Sequence, residues 1–398
     1  MISLQPPPET RPSFLATVAS PPVWRVGAKL EEGQEEGPWE GGGVTKRARM
    51  WVSAYLPHGS WSCWFPVCTG EAVGPNLLQR CEAVSMLGAK VGLLNKDELE
   101  QRFPFMKFDD VVLGSLGLEN EGVVDSWQLL GALREKNITL GVHYVKAKIE
   151  RLRFRNTPHQ NTMGVFSDAD IWRERRLVGA YYRPQRTDAA PRPVLAHCVV
   201  NAAGAWSGRI AAMANLGRGR GLMAVPVPIV PRKRYSYIVH CPEGPGLDMP
   251  YLVDPSGVWC RREDYGHLYL CGKSPTEEED KATDHSNLDV DYDYFYEKIW
   301  PILAQRIPAF EKLKMKSAWA GYYDYNEFDQ QPIIGSNLAF TNFFQVCGFS
   351  GRGIQHAIAA GRAFMEQWYD GTFRTIYMRK FDMDRILKNR PLRAEIGI

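Results

Sequence analysis

The segment Gln345-Val-Cys-Gly-Phe-Ser-Gly-Arg-Gly-Ile-Gln-His356 runs a short apolar strand, 343–347, into a turn with glycine at 348, 351 and 353. A helix should follow, because Ile354, Ala357, Ile358, Gly361, Phe364, Met365 and Trp368 recur at helical spacing and lay one apolar stripe along it. Gly371 stands where a helix stop is expected. A strand, a glycine turn and a helix N-terminus aim free backbone N–H groups and the positive end of the helix dipole at one point. Glycine there lets a ligand approach the backbone closely. Two readings stand, a ligand site or an ordinary tight turn.

The 398 residues suffice for two or three domains, or for one large interlocked α/β unit. An apolar share of 44% suits a chain with a real core. Net charge +3 is too weak to imply nucleic acid, and the basic runs at 232–234 and 173–176 read as solvated faces or local ligand contacts. The eight cysteines form no CxxC pair and no regular framework, which suits a reducing compartment better than a disulfide scaffold. The eight histidines are scattered, so no metal site is expected. No apolar run reaches the roughly 18 residues that span a bilayer, so any membrane contact should be peripheral.

Residues 1–80 differ from the rest. They hold ten of the 27 prolines and five of the 12 tryptophans without a period of 3.6 or 2, which reads as mostly irregular with a short strand near 50–56. Prolines at 6, 7, 8, 21 and 22 spoil an amphipathic presequence helix, so no targeting peptide is evident. Further on, 95–102 reads as a short capped helix and 114–124 as a hairpin. Asp125 should cap a helix that has Gln128 at N3, buries Leu129, Leu130 and Leu133, and ends at Gly141. Residues 142–154 read as strand with Val145, Ala147, Ile149 and Leu152 inward, 177–182 as a second strand, and 194–200 as one buried strand. The last leads into the small-residue turn Ala202-Ala-Gly-Ala205 and a helix at 208–214. Those small residues either leave room for a flat group or pack densely in a sheet corner. Residues 222–273 suggest an antiparallel sheet, 276–284 an acidic loop, 292–307 a helix interrupted at Pro301, and 316–323 a strand.

Val199-Val-Asn-Ala-Ala-Gly-Ala-Trp-Ser207, Ala318-Trp-Ala-Gly-Tyr-Tyr323 with Asp329 and Pro332-Ile-Ile-Gly335, and Gly348-Phe-Ser-Gly-Arg-Gly-Ile-Gln355 together resemble the D-amino-acid oxidase-like family of FAD-dependent oxidoreductases, over about residues 80–380. Val230-Pro-Arg-Lys-Arg-Tyr235, His240-Cys-Pro-Glu-Gly-Pro-Gly-Leu247, Gly272-Lys-Ser-Pro-Thr276 and Ser317-Ala-Trp-Ala-Gly-Tyr-Tyr-Asp-Tyr-Asn326 look closest to a mitochondrial branch that serves the assembly of respiratory complex I.

The resemblance implies a mixed α/β (α+β) fold, in which an incomplete FAD-binding Rossmann-like domain interlocks with an antiparallel-sheet substrate domain. It divides the chain into an atypical N-terminal region (1–80), FAD-binding segments (81–221 and 316–375), a substrate domain (222–315) and a C-terminal tail (376–398). FAD is the implied cofactor, bound by Ala203, Gly204, Ala205, Trp206, Gly348, Phe349, Ser350, Gly351, Arg352, Gly353, Ile354 and Gln355. Arg232, Arg234, Tyr235, Arg261 and Tyr323 would lie on the substrate side of the ring, with Arg234, Tyr323 and Arg352 as catalytic candidates. An arginine that pairs bidentately with a carboxylate would anchor an amino acid, while a surface or sheet-spanning role is the alternative for each arginine. The implied reaction is hydride transfer from a C–N or C–O bond of a small amine or amino-acid-like substrate. The rival is a non-catalytic scaffold with weak or absent FAD. The closer match adds complex I subunits as partners and the mitochondrial matrix, or the matrix side of the inner membrane, as location.

Two departures stand out. The family opens on a βαβ unit whose GxGxxG turn binds the FAD pyrophosphate, and the first 80 residues contain no such turn. The sheet should then lack its central strand and leave apolar edges unpaired. The lost contacts would weaken FAD binding on the order of 10³-fold. Second, Arg352 stands where the family commonly has histidine. Its guanidinium either stabilises negative charge at the N1 edge of the reduced ring or points to solvent. Cys347 reads as a buried strand residue rather than a covalent flavin attachment.

Overall fold

A computed structural model describes residues 88–119, 122–156, 175–185, 190–263 and 266–392, with the short pieces 2–4, 14–16, 64–68, 81–82 and 85–86. The strands run β1 (Ile2–Leu4), β2 (Phe14–Ala16), β3 (Trp64–Cys68), β4 (Val91–Asn95), β5 (Leu113–Gly117), β6 (Val142–Tyr144), β7 (Ala147–Asn156), β8 (Arg175–Pro184) and β9 (Arg192–Leu195). They continue as β10 (Cys198–Asn201), β11 (Ile229–His240), β12 (Tyr251–Val253), β13 (Val258–Arg262), β14 (Leu268–Lys273), β15 (Lys314–Asn326), β16 (Ile333–Ser336) and β17 (Phe343–Cys347). The helices are α1 (Lys96–Arg102), α2 (Ser126–Thr139), α3 (Ser207–Ala212), α4 (Glu277–Ala282), α5 (Tyr292–Lys298), α6 (Trp300–Arg306), α7 (Gly353–Asp370) and α8 (Asp384–Leu387).

Three sheets organise these elements, and the class is the mixed α/β one expected. The first has the order β16-β17-β10-β2-β1-β6, the second β15-β11-β14-β13-β12-β3-β5-β4, the third β7-β8-β9. In the first, β10 runs parallel to β17, with Val199 opposite Phe343 and Asn201 opposite Gln345. All four β10 residues are buried, as a continuous apolar run between covering layers requires. Its other edge is not left unpaired: β2 lies parallel along it, with Cys198 opposite Phe14. The bare edge expected where the first 80 residues show no GxGxxG turn is therefore corrected at the backbone level. An apolar strand with open N–H and C=O groups recruits whatever strand the chain can supply.

The second sheet is anchored by the antiparallel pair β11 and β15, in register from Ile229 opposite Asn326 to His240 opposite Lys314. Tyr237 and Val239 point from β11 into a core completed by Phe295, Ile299, Leu303, Ile307 and Phe310. Each such side chain contributes roughly 1.5–3 kcal/mol by leaving water. Pro301 stands in the first turn of α6, where its missing N–H is harmless, so the expected break falls between α5 and α6.

Other expectations fare unevenly. α1 has the capping box, with Asn95 accepting from Glu98 N–H. The expected hairpin at 114–124 is absent among the described residues, because β5 pairs with β4 instead. The expected single strand 194–200 divides, β9 joining β8 and β10 joining the first sheet. Residues 276–284, expected to be loop, hold α4, because Thr276 and Glu279 form a capping box that holds its first turn. Asp125 caps α2 as expected, yet α2 buries no residue, and Leu130 and Leu133 are exposed because only β6 packs closely on it among the described residues. The strand expected near 50–56 lies outside the described residues.

Candidate functional site

The two sequence segments singled out for a ligand leave the carboxyl ends of neighbouring parallel strands. β10 ends at Asn201 and turns through Ala203, Gly204, Ala205 and Trp206 into α3, while β17 ends at Cys347 and turns through 348–352 into α7. In open α/β sheets ligands bind beyond the carboxyl ends of the strands. Asn201 joins the two ends directly: its Nδ2 donates to Gln345 Oε1 at 2.7 Å and to Ser207 O at 2.9 Å. Asn201 Oδ1 and Gln345 Nε2 are buried without a hydrogen-bond partner among the described residues, an open acceptor and donor at the head of the sheet.

Gly204 adopts φ +55°, and no other described atom lies within 4 Å of where its Cβ would be. The turn is therefore an open cradle, and the dense-packing alternative does not hold at this position. Ala203 and Ala205 are buried behind it. Trp206 is 39% exposed, its ring edge-on to Tyr322 at 5.6 Å.

The second turn is more fully used than its glycines suggest. Gly348 N–H and Phe349 N–H donate to Asp324 Oδ2 at 2.7 and 3.0 Å, and Ser350 N–H donates to the Asp324 carbonyl at 3.1 Å. Burial pushes the Asp324 carboxyl above its ordinary value, against the backbone N–H groups that favour the anion. The Phe349 ring packs with Ile334, Ala360 and Ala363, so it brings no side chain to the site. What remains open is the start of α7, where Gly353, Ile354 and Gln355 carry the unpaired N–H groups of a helix N-terminus. Among the described residues no side chain caps it. Ile354 and Ile358 are 46% and 60% exposed, and the helix buries residues only from Ala360 onward. Arg352 donates from Nη2 to Gln330 O at 2.9 Å.

Beside these turns lies the β11–β15 ladder. Arg232 stands opposite Tyr323 and Arg234 opposite Gly321, on one face. Arg234 Nη2 donates to Tyr323 Oη at 2.7 Å and its Nη1 pairs with Asp280. The Tyr323 ring is 3.7 Å from the Cβ position of Gly351, which brings the arginine cluster against the second turn. Burial pushes the Tyr323 phenol up, with Arg234 opposing. Tyr235 turns to the opposite face, among Tyr237 and Tyr294. Arg261 lies two strands across the sheet, paired with Glu263 at 2.7 Å. Cys347 is fully buried, and burial pushes its thiol up to about 12, so it stays protonated.

The sequence reading missed Asp324 and Asp280. The first lies on β15, 24 residues before the glycine turn it holds, and the second was hidden inside an acidic tract. The open Gly204 cradle, the uncapped α7 and the apolar Ile354–Ile358 surface fit a flat ring with an anionic tail. The first 80 residues hold no GxGxxG turn.

The family described as FAD dependent oxidoreductase matches residues 25–367. FAD-dependent oxidoreductase domain-containing protein 1 of Xenopus laevis is 43% identical over 307 residues, covering 77% of this chain and 60% of that protein. The chain thus spans about three-fifths of the length of this relative. Among solved structures, L-proline dehydrogenase from P. horikoshii superposes with a TM-score of 0.64 at 18% identity, over 83% of this chain and 78% of that one. Glycine oxidase from Geobacillus kaustophilus gives 0.60 at 18%, over 81% and 74%. These two likenesses speak for the fold. Among the described residues no helix is long and apolar enough to cross a membrane.

Proposed function

Because the chain belongs to the D-amino-acid oxidase-like family of FAD-dependent oxidoreductases, we propose that it binds FAD at the heads of β10 and β17 and oxidises a small amine. The single observation behind this is the pair of turns leaving those adjacent parallel strands, one open at Gly204 and the other entering the uncapped helix α7. FAD, when bound, supplies the acceptor for a hydride taken from a C–N bond. The residues of the chain do the rest. Gly204 leaves room for the ring, the N–H groups at 353–355 favour negative charge, and Tyr323, beside Gly351, offers a hydroxyl held by Arg234. That the group oxidised is an amine draws support from the fold neighbours, one a glycine oxidase and another an L-amino acid deaminase.

The absorption spectrum of the purified protein tests the reading. Flavin bands, and FAD released on acid denaturation, are expected. Colourless protein that takes up no added FAD would overturn it.

A second reading is favoured by one observation, the β2 backbone in the place where the family's nucleotide-binding strand is expected. On this reading the chain is a scaffold with weak or absent flavin. The assembly of respiratory complex I in the mitochondrion belongs to either reading and rests on the closer resemblance alone. Rescue of complex I assembly in cells lacking the protein tests that role, and rescue by a flavin-free variant would favour the scaffold.

A further inference from the structure

Arg232 and Arg234 share one face of β11 and one carboxylate, Asp280 of α4. Arg234 Nη1 donates to Asp280 Oδ1 and also to Lys233 O at 2.8 Å. Arg232 Nε lies 3.6 Å from Asp280 Oδ2, and its Nη2 lies 3.0 Å from Glu327 Oε1. Two guanidinium charges therefore meet two carboxylates. The arginine and Asp280 side chains are only 25%, 21% and 13% exposed, so water screens the pairs weakly. The same face has room at Gly321, the residue opposite Arg234, where no other described atom lies within 4 Å of the Cβ position, and it meets the site through the Tyr323 ring, 3.7 Å from the Cβ position of Gly351.

We propose that Asp280 sets the substrate class of this site: it occupies the arginines that a substrate carboxylate would need, so the site takes an amine without a free carboxylate. The assignment of this face to substrate rests on the flavoenzyme reading given above. An entering carboxylate would have to displace Asp280 from Arg234 or lie against its negative charge, and like charges at this range repel. An uncharged group meets Tyr323 instead, whose oxygen accepts from Arg234 and whose own proton remains to donate. The segment that delivers Asp280 is held at the start of its helix by the Thr276 capping box and tied to β14 by Lys273 pairing with Glu279.

Two probes that differ in charge alone, benzoate and benzamide, test this by isothermal titration calorimetry on the full chain. Wild-type protein should bind benzamide at least as tightly as benzoate. Asp280→Asn should shift the affinity ratio toward benzoate by about tenfold, the scale of a freed charge pair, and Asp280→Glu should keep the wild-type ratio. A wild-type preference for benzoate would overturn the proposal. So would an Asp280→Asn ratio within threefold of wild type, or no binding of either probe to either protein. If Asp280→Asn fails to fold, the wild-type ratio decides alone. The flavin spectrum of the same preparations separates the two readings. Colourless protein with the expected ratio sinks the flavin assignment only, and yellow protein that prefers benzoate sinks the role of Asp280 only.

Discussion

Asp324 Oδ2 accepts the Gly348 backbone N–H at 2.7 Å, so a carboxylate on β15 fixes the start of the glycine turn that follows β17. The neighbouring Phe349 N–H shares that oxygen at 3.0 Å, and Ser350 Oγ returns the contact by accepting Asn326 N–H at 3.0 Å. The turn is thus held from within the protein. Only the first turn of α7 is left to address a ligand.

Asp324→Ala strands two buried donors and should cost about 1–3 kcal/mol for each, whereas Asp324→Asn keeps one acceptor oxygen and should cost less. The pH dependence follows from the raised folded value. Burial disfavours the anion, so the contribution of Asp324 to stability is fully present below the ordinary 3.8 and is lost as pH rises through the higher folded value. Asp324→Asn should lack that decline. Urea denaturation at a series of pH values checks both points, and equal losses in the two variants would count against them.

Two glycines separate folding from binding. At Gly348, φ is +75° and a Cβ would fall 2.4 Å from Ile229 Cδ1, so Gly348→Ala combines strain with overpacking. A loss of about 2–4 kcal/mol is expected. At Gly204, φ is +55° in open space, and Gly204→Ala should cost only about 1–2 kcal/mol. It should nevertheless lower bound flavin per chain, because the added methyl enters the cradle. Thermal melts and flavin absorbance read the two effects, and unchanged flavin in Gly204→Ala would argue that the ring lies elsewhere.

Elements governed by local chemistry were legible in the sequence. Asn95 with Glu98, Asp125, Pro301 and Gly371 each mark a boundary through a hydrogen bond or a backbone angle that near neighbours determine. The two turns of the candidate site were legible for the same reason. What long-range packing decides was not. The spacing placed one apolar stripe along α7 but could not say which part packs, and Ile354 and Ile358 stay 46% and 60% exposed. The division of 194–200 between two sheets follows from partners far along the chain. Asp280 acquires its meaning only when α4 folds over β11, 46 residues back from Asp280 to Arg234.

The pair Arg385–Asp329 fastens α8 to the turn after β15. The contact is 2.7 Å, with side chains 6% and 0% exposed, and Arg385 also donates to Gln331 O and Pro332 O. Removing one partner leaves an uncompensated buried charge, so Arg385→Ala should cost about 3–5 kcal/mol. Lys388→Ala breaks an exposed pair between the residue that ends α8 and Asp384 at its start and should cost under about 1 kcal/mol. Chemical denaturation of the two variants side by side gives the answer, and similar losses would contradict the assignment.

Glu366 provides the opposite pH signature to Asp324. Its carboxylate, only 6% exposed, accepts Arg374 N–H at 2.8 Å, Thr375 N–H at 2.9 Å, the Thr375 hydroxyl and Arg362 Nε at 2.7 Å. Together, the Thr375 hydroxyl first, these donors hold it down to about 2 from an ordinary 4.5. The depressed folded value means that its stabilisation is fully present above 4.5 and is lost as pH falls toward 2. Glu366→Gln should therefore be less stable than wild type at neutral pH, and the difference should shrink through that window. Denaturation midpoints at neutral pH and at successive steps into the acid test it. If the two proteins lose stability in parallel on acidification, Glu366 is not the group whose titration unfastens the chain after α7.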